Sequence, residues 1–282
     1  MPLVDDLILV AKTRDEDNAG TDNRHNLTIN IDGVDVFNLD FPFGLGEGIG
    51  RGETGYQEND FLGSIGPIPW LVATPFDSND LTDSSIRLGI RGDDAWAPQH
   101  VLLIGRVPPE WSPGRSIPLA IETDLTNWLS ADRDEGHLTM RLRLVGAGNG
   151  AMLIRRVLLV IYTSRHDNAD TESDVQLQIA AGGTIVLTHK ITHGFDRQKA
   201  YWHFLDVDTP FTRDAVGPND IDLSILGEDA WLPGAVFLFG LDTETDRPTK
   251  MVTLVAIRGW DLGWLSTAPN EGKSSIPLPL SI

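Results

Sequence analysis

A five-residue stretch, Asp94-Ala95-Trp96-Ala97-Pro98, returns as Asp229-Ala230-Trp231-Leu232-Pro233, and each copy stands between two alternating apolar runs. Ile86, Leu88 and Ile90 precede the first copy, and Val101 and Leu103 follow it. The second has Ile221, Leu223 and Ile225 before it and Val236 and Leu238 after it. An apolar residue at every second position marks a strand with one buried face. A loop joining two such strands, present twice, implies a domain present twice. The repeat extends further: Thr13 to Leu27 matches Thr163 to Leu177 at an offset of 150, and Trp128-Leu129-Ser130 matches Trp264-Leu265-Ser266 at an offset of 136. The two Asp-Ala-Trp copies lie 135 apart, which leaves about 15 additional residues in the first half.

The 282-residue length also suits two domains. Leu3 to Lys12 reads as a first strand. Leu27, Ile29 and Ile31 then alternate with polar residues up to Asp32-Gly33, a hairpin signal. Phe41 to Pro75, with glycines at 44, 46, 48, 50 and 52, reads as a surface loop and contains the insertion. It is no nucleotide fingerprint, because Ile49 stands where the third glycine would fall. Leu138, Met140, Leu142 and Leu144 predict the closing strand of the first half, and Gly146 to Gly150 a linker. Ile276, Leu278, Leu280 and Ile282 predict the closing strand of the second half, with Pro277 and Pro279 confining it to a sheet edge. The expectation is an all-β chain of two tandem antiparallel β-sandwiches, about eight strands each, arising by internal duplication. Residues 1–146, with the glycine-rich insertion, form one domain and residues 151–282 the other.

Twenty-two Lys and Arg against 41 Asp and Glu give a net charge of −19, which argues against phosphate-backbone binding and suits either cation binding or simply a solvated surface. No cysteine is present, so disulfides and thiolate metal sites are excluded. The longest apolar runs, Leu7 to Ala11 and Val157 to Tyr162, fall well short of the ~20 residues of a spanning helix. Asp5 and Asp6 stand where a secretory signal would be basic. Neither a His-Glu-x-x-His nor a Gly-x-Ser-x-Gly motif occurs, Thr267 spoils a P-loop ending at Gly272-Lys273-Ser274, and His189 and His193 read as a surface pair. An enzyme is not expected.

Four landmarks carry a family resemblance. The early loops are Asn18-Ala19-Gly20-Thr21-Asp22 and Asn168-Ala169-Asp170-Thr171-Glu172; a middle Asn59-Asp60-Phe61 follows in the first half only; the late loops are the two Asp-Ala-Trp stretches; the closing segments are Asn127-Trp128-Leu129-Ser130 and Gly263-Trp264-Leu265-Ser266. Each half resembles a PLAT domain (polycystin, lipoxygenase, alpha-toxin), closest in motif to the C-terminal domain of clostridial alpha-toxins. That resemblance implies calcium as cofactor, held where the early and late loops meet. Asn18 and Asp94 would supply side-chain oxygens with the carbonyls of Gly20 and Ala95; the second set would be Asn168, Asp229 and the carbonyls of Asp170 and Ala230. A second ion in the first half would use Asp22, Asn59 and Asp60. Asn in place of the family's first Asp predicts weak binding, about 10⁻⁴–10⁻³ M. Asp170 replaces a glycine, which places a side chain where a positive φ is expected.

A blander reading stands beside this one: Asp94 and Asp229 cap loop amides without any metal. Trp96 and Trp231 are expected in the core, whereas Trp111, Ile49 and Tyr56, in stretches without a repeat counterpart, are the candidates for contact with a membrane or partner. The implied function is a calcium-dependent binding module for a membrane surface or lipid headgroups. The alternatives are a calcium-stabilised structural or protein-interaction module, and calcium-dependent glycan binding. Weak calcium sites suit an extracellular or cell-surface location, with the cytoplasm as the alternative.

Overall fold

A computed structural model describes residues 3–21, 24–41, 54–58, 75–106, 116–192, 194–197, 199–258 and 262–281. They form an all-β structure built from antiparallel sheets, with two single-turn 3-10 helices, Ser78–Asp80 and Arg213–Ala215. The chain divides into two compact units, Met1–Val145 and Gly146–Ile282.

The first unit contains β1 (Leu3–Val4), β2 (Asp6–Thr13), β3 (Arg24–Ile31), β4 (Val34–Phe41), β5 (Thr54–Glu58), β6 (Phe76–Asp77), β7 (Ile86–Arg91), β8 (Pro98–Arg106), β9 (Ser116–Glu122) and β10 (Thr139–Arg141). Its strands pair in the orders β10-β7-β3-β4 and β5-β2-β8-β9. Leu27 and Ile29 of β3, Ile86, Leu88 and Ile90 of β7, Leu7 and Leu9 of β2, and Val101 and Leu103 of β8 meet in one core. The period-two pattern read from the sequence is thus the buried face of each strand.

The second unit contains β11 (Gly146–Ala147), β12 (Leu153–Thr163), β13 (Val175–Ala181), β14 (Thr184–Ile191), β15 (Ala200–Thr212), β16 (Ile221–Ile225), β17 (Pro233–Leu241), β18 (Lys250–Arg258) and β19 (Ser275–Pro277). Its pairing orders are β14-β13-β16-β19 and β15-β12-β17-β18, the same succession as in the first unit. Its core takes Leu177 and Ile179 of β13, Leu223 of β16, Leu159 and Ile161 of β12, and Val236 and Leu238 of β17. β19, with Pro277, lies at a sheet edge, where a missing N–H breaks no ladder. The first hairpin turns through Asp32 and Gly33 at φ 51° and 84°, and its counterpart through Gly182 and Gly183 at φ 59° and 78°. Positive φ at both turn residues matches the twist of the flanking strands.

Three expectations need correction. The stretch read as a loop from Phe41 to Pro75 contains β5, paired with β2 in a register that sets Tyr56 opposite Val10. The open side of β2 needs partners for its N–H and C=O groups, and β5 supplies them. The single closing strand over 138–144 is broken: Met140 pairs with Leu88 of β7, but Val145 N–H donates to Leu119 of β9. The chain crosses from one sheet to the other after Leu142, whose N–H still donates to Ile86 of β7, and the apolar residues are unequally buried: Leu138 is 57% exposed while Leu142 is buried. Finally, 146–150 is not a free linker. Gly146 pairs in parallel with Lys250, and Gly148 N–H donates to Met251. A Cβ at Gly150 would overlap the Asp214 carboxylate, so this glycine permits close approach and not mobility.

Candidate functional site

The repeated Asp-Ala-Trp stretch is explained residue by residue by its backbone partners. Trp96 and Trp231 are wholly buried, and each indole Nε1–H donates to a buried threonine hydroxyl: Thr13 at 2.9 Å and Thr163 at 3.2 Å. Each tryptophan also exchanges both backbone hydrogen bonds with the leucine of the closing segment, Leu129 or Leu265. The next residue ties the loops together. Ala97 N–H donates to Ala19 O at 3.0 Å and Leu232 N–H to Ala169 O at 3.1 Å, while their carbonyls accept from Arg14 and Ser164. The proline then opens β8 or β17 opposite that threonine, at a register shift, where a strand's first residue can lack an N–H.

The early loop approaches from the other side. Asn18 and Asn168 both adopt φ 62°, a left-handed conformation that asparagine tolerates better than most residues. The strained position therefore falls on the asparagine and not at Asp170, where the resemblance had led one to expect it. Both asparagines are exposed, and the alanine after each is buried.

In the second unit the Asp229 carboxylate lies at the junction, accepting from Glu172 N–H at 3.1 Å and Ala230 N–H at 3.0 Å. Asp229 N–H donates to Ser173 Oγ at 3.2 Å. Asp94, Asp93 and Glu228 are exposed, as are Asp170 and Asp229; Gly20, Ala95 and Ala230 are half-buried. Among the described residues no three His, Asp or Glu side chains converge closely enough to hold a metal. Any cation here would draw on the amide oxygens of Asn18 or Asn168, on backbone carbonyls and on one carboxylate. That donor set fits a hard, oxygen-seeking ion held weakly. Asp22, Asn59 and Asp60 lie outside the described residues, as do Trp111 and Ile49. Tyr56 sits within the β2–β5 ladder and not at a loop tip.

Two features of this end have sequence signals that motif reading passed over. Ser130 and Ser266 each donate from Oγ to a glutamate five residues on, Glu135 and Glu271, at 3.1 Å. The glycine after each glutamate is required, since a Cβ at Gly136 or Gly272 would lie 2.4 Å from the carbonyl oxygen of Trp128 or Trp264. The signal was Ser, four residues, then Glu-Gly, present in both halves. The other is His25, buried edge-on to Trp96 with ring centroids 4.3 Å apart. Burial pushes its pKa down to about 3. Its place in the alternating Leu27–Ile29–Ile31 strand signalled the inward face.

Comparison with models of known protein families, with curated proteins and with solved structures finds no match to this chain.

Proposed function

We propose that the chain is a duplicated pair of β-sandwiches of the PLAT type, working as a non-enzymatic, calcium-dependent binding module for an anionic membrane surface. The equal strand order of the two units supports the duplication. The observation that carries the functional reading is the bonding of early to late loop in both units, Ala97 to Ala19 and Leu232 to Ala169, beside the exposed Asp94 and Asp229. Adjacent carboxylates, Asp93 with Asp94 and Glu228 with Asp229, repel one another, and a bound calcium relieves that repulsion. The same ion bridges to headgroups that a chain of net charge −19 would otherwise repel. Weak sites of this kind suit an extracellular or cell-surface setting.

A second reading keeps the calcium and drops the lipid: the ion only stiffens the loops of a structural or protein-interaction module. Its support is Asp229, whose carboxylate already satisfies two loop amides. Sedimentation with phosphatidylserine vesicles, with and without chelator, separates the two. Chelator-sensitive lipid binding supports the first reading. Calcium stabilisation without lipid binding supports the second.

A further inference from the structure

The first unit has a cleft that the end loops do not use. Its volume is about 350 Å³, and Glu122, Asn127, Trp128, His137, Thr139 and Arg141 line it. Glu122 ends β9, the edge strand of one sheet, and Thr139–Arg141 is β10, the edge strand of the other. The cleft therefore opens where the two sheet edges part, and the Asn127-Trp128 segment forms a further wall.

Arg141 gives the cleft a cation in a chain of net charge −19, alongside the carboxylate of Glu122. Arg141 stands directly opposite Arg87 of β7, and both side chains are exposed. Among the described residues neither has a carboxylate within ion-pair distance. Like charges facing each other across neighbouring strands are unfavourable. The fold does not demand them: the corresponding ladder position of the second unit pairs Asp222 with Pro277. The turn beside it is built alike in both units, with His137 N–H donating to Trp128 and Lys273 N–H to Trp264. Two walls of the cleft are held in place. The Arg14 guanidinium lies 5.2 Å over the half-buried Trp128 ring, and the Glu122 carboxylate accepts from Arg143 N–H at 2.7 Å.

We infer that this cleft binds one carboxylate-bearing sugar ring, of the uronic or sialic acid class, independently of calcium. The planar fork of Arg141 matches a carboxylate, with His137 as a further donor beside it. Asn127 and Thr139 exchange hydrogen bonds with ring hydroxyls. Glu122 accepts from another hydroxyl. Trp128 is the cleft's aromatic wall, against which the C–H groups of a sugar ring pack. The volume suits a single ring.

The test is titration of the full chain, in chelator, with D-glucuronate and N-acetylneuraminate, read by calorimetry and by NMR shifts. D-glucose and inorganic phosphate are the controls. At least one sugar acid is expected to bind saturably in the millimolar range or better, with shifts centred on Asn127, Trp128 and His137. Arg141→Met is expected to weaken it about tenfold or more, Arg141→Lys by less, and glucose to bind about tenfold or more weakly than the acid. Arg141 is exposed, and a melting curve of each variant verifies its fold. Failure of both acids to bind overturns the inference. So does phosphate competing as well as the acids, which would indicate charge attraction alone, or an Arg141→Met protein that binds like wild type.

Discussion

The Asp229 carboxylate accepts a hydrogen bond from Glu172 N–H at 3.1 Å, and so ties the late loop of the second unit to its early loop. The junction is thus held by hydrogen bonds before any cation is considered. Asp229→Ala removes this acceptor and the one to Ala230, and is expected to cost about 1 kcal/mol in calcium-free buffer. Asp229→Asn keeps one acceptor oxygen and should cost less. Denaturant unfolding of the two variants gives the comparison; equal stability of Asp229→Ala and wild type would remove the carboxylate's structural role.

Thr163 and Thr13 are the acceptors for two wholly buried indole N–H groups. Valine has nearly the shape of threonine and no acceptor. Thr163→Val and Thr13→Val are each expected to destabilise their unit by about 1–3 kcal/mol, the cost of a buried donor left unsatisfied. Equilibrium denaturation followed by tryptophan fluorescence measures it.

Gly136 and Gly272 face a backbone carbonyl, which cannot move aside as a flexible side chain would. Alanine at either position is expected to cost about 2 kcal/mol or more through overpacking. Thermal melts of the two single variants should fall well below wild type.

His25 is neutral in the fold because burial lowers its pKa to about 3 from an ordinary 6.5. Unfolding frees it to take a proton, so between those values the unfolded state binds more protons. Its stabilising contribution is complete above pH 6.5 and is lost as pH falls from there toward 3, over a range of a few kcal/mol. His25→Val, which installs the residue that Val175 provides in the second unit, should flatten the acid limb of the stability curve. An identical acid limb in the variant would contradict the assignment.

The strands were legible wherever one face is buried and the other wet: β13, Val175–Ala181, alternates buried and half-buried residues along its whole length. The Asp-Ala-Trp loop was legible because its composition repeats, and its tryptophan could be assigned to the core from aromaticity alone. Other features depend on partners far away in sequence. β5 hides in a glycine-rich stretch because what makes it a strand is the open side of β2. The crossing after Leu142 preserves the apolar alternation while changing sheets, so periodicity could not show it. The opposition of Arg87 and Arg141 follows from register across 54 residues of chain, which no local pattern encodes. The left-handed Asn18 and Asn168 were singled out as ligands, whereas the structure adds a backbone role that asparagine fills without metal.

The most direct test of the account is a calcium titration of thermal unfolding for wild type, Asp94→Asn and Asp229→Asn. A ligand bound only by the folded state must raise the melting temperature with its concentration. With calcium held at these loops, the melting temperature rises through the millimolar range in wild type and by less in each variant. Three curves left unmoved by millimolar calcium would contradict this, and would leave Asp94 and Asp229 as capping residues of a duplicated loop.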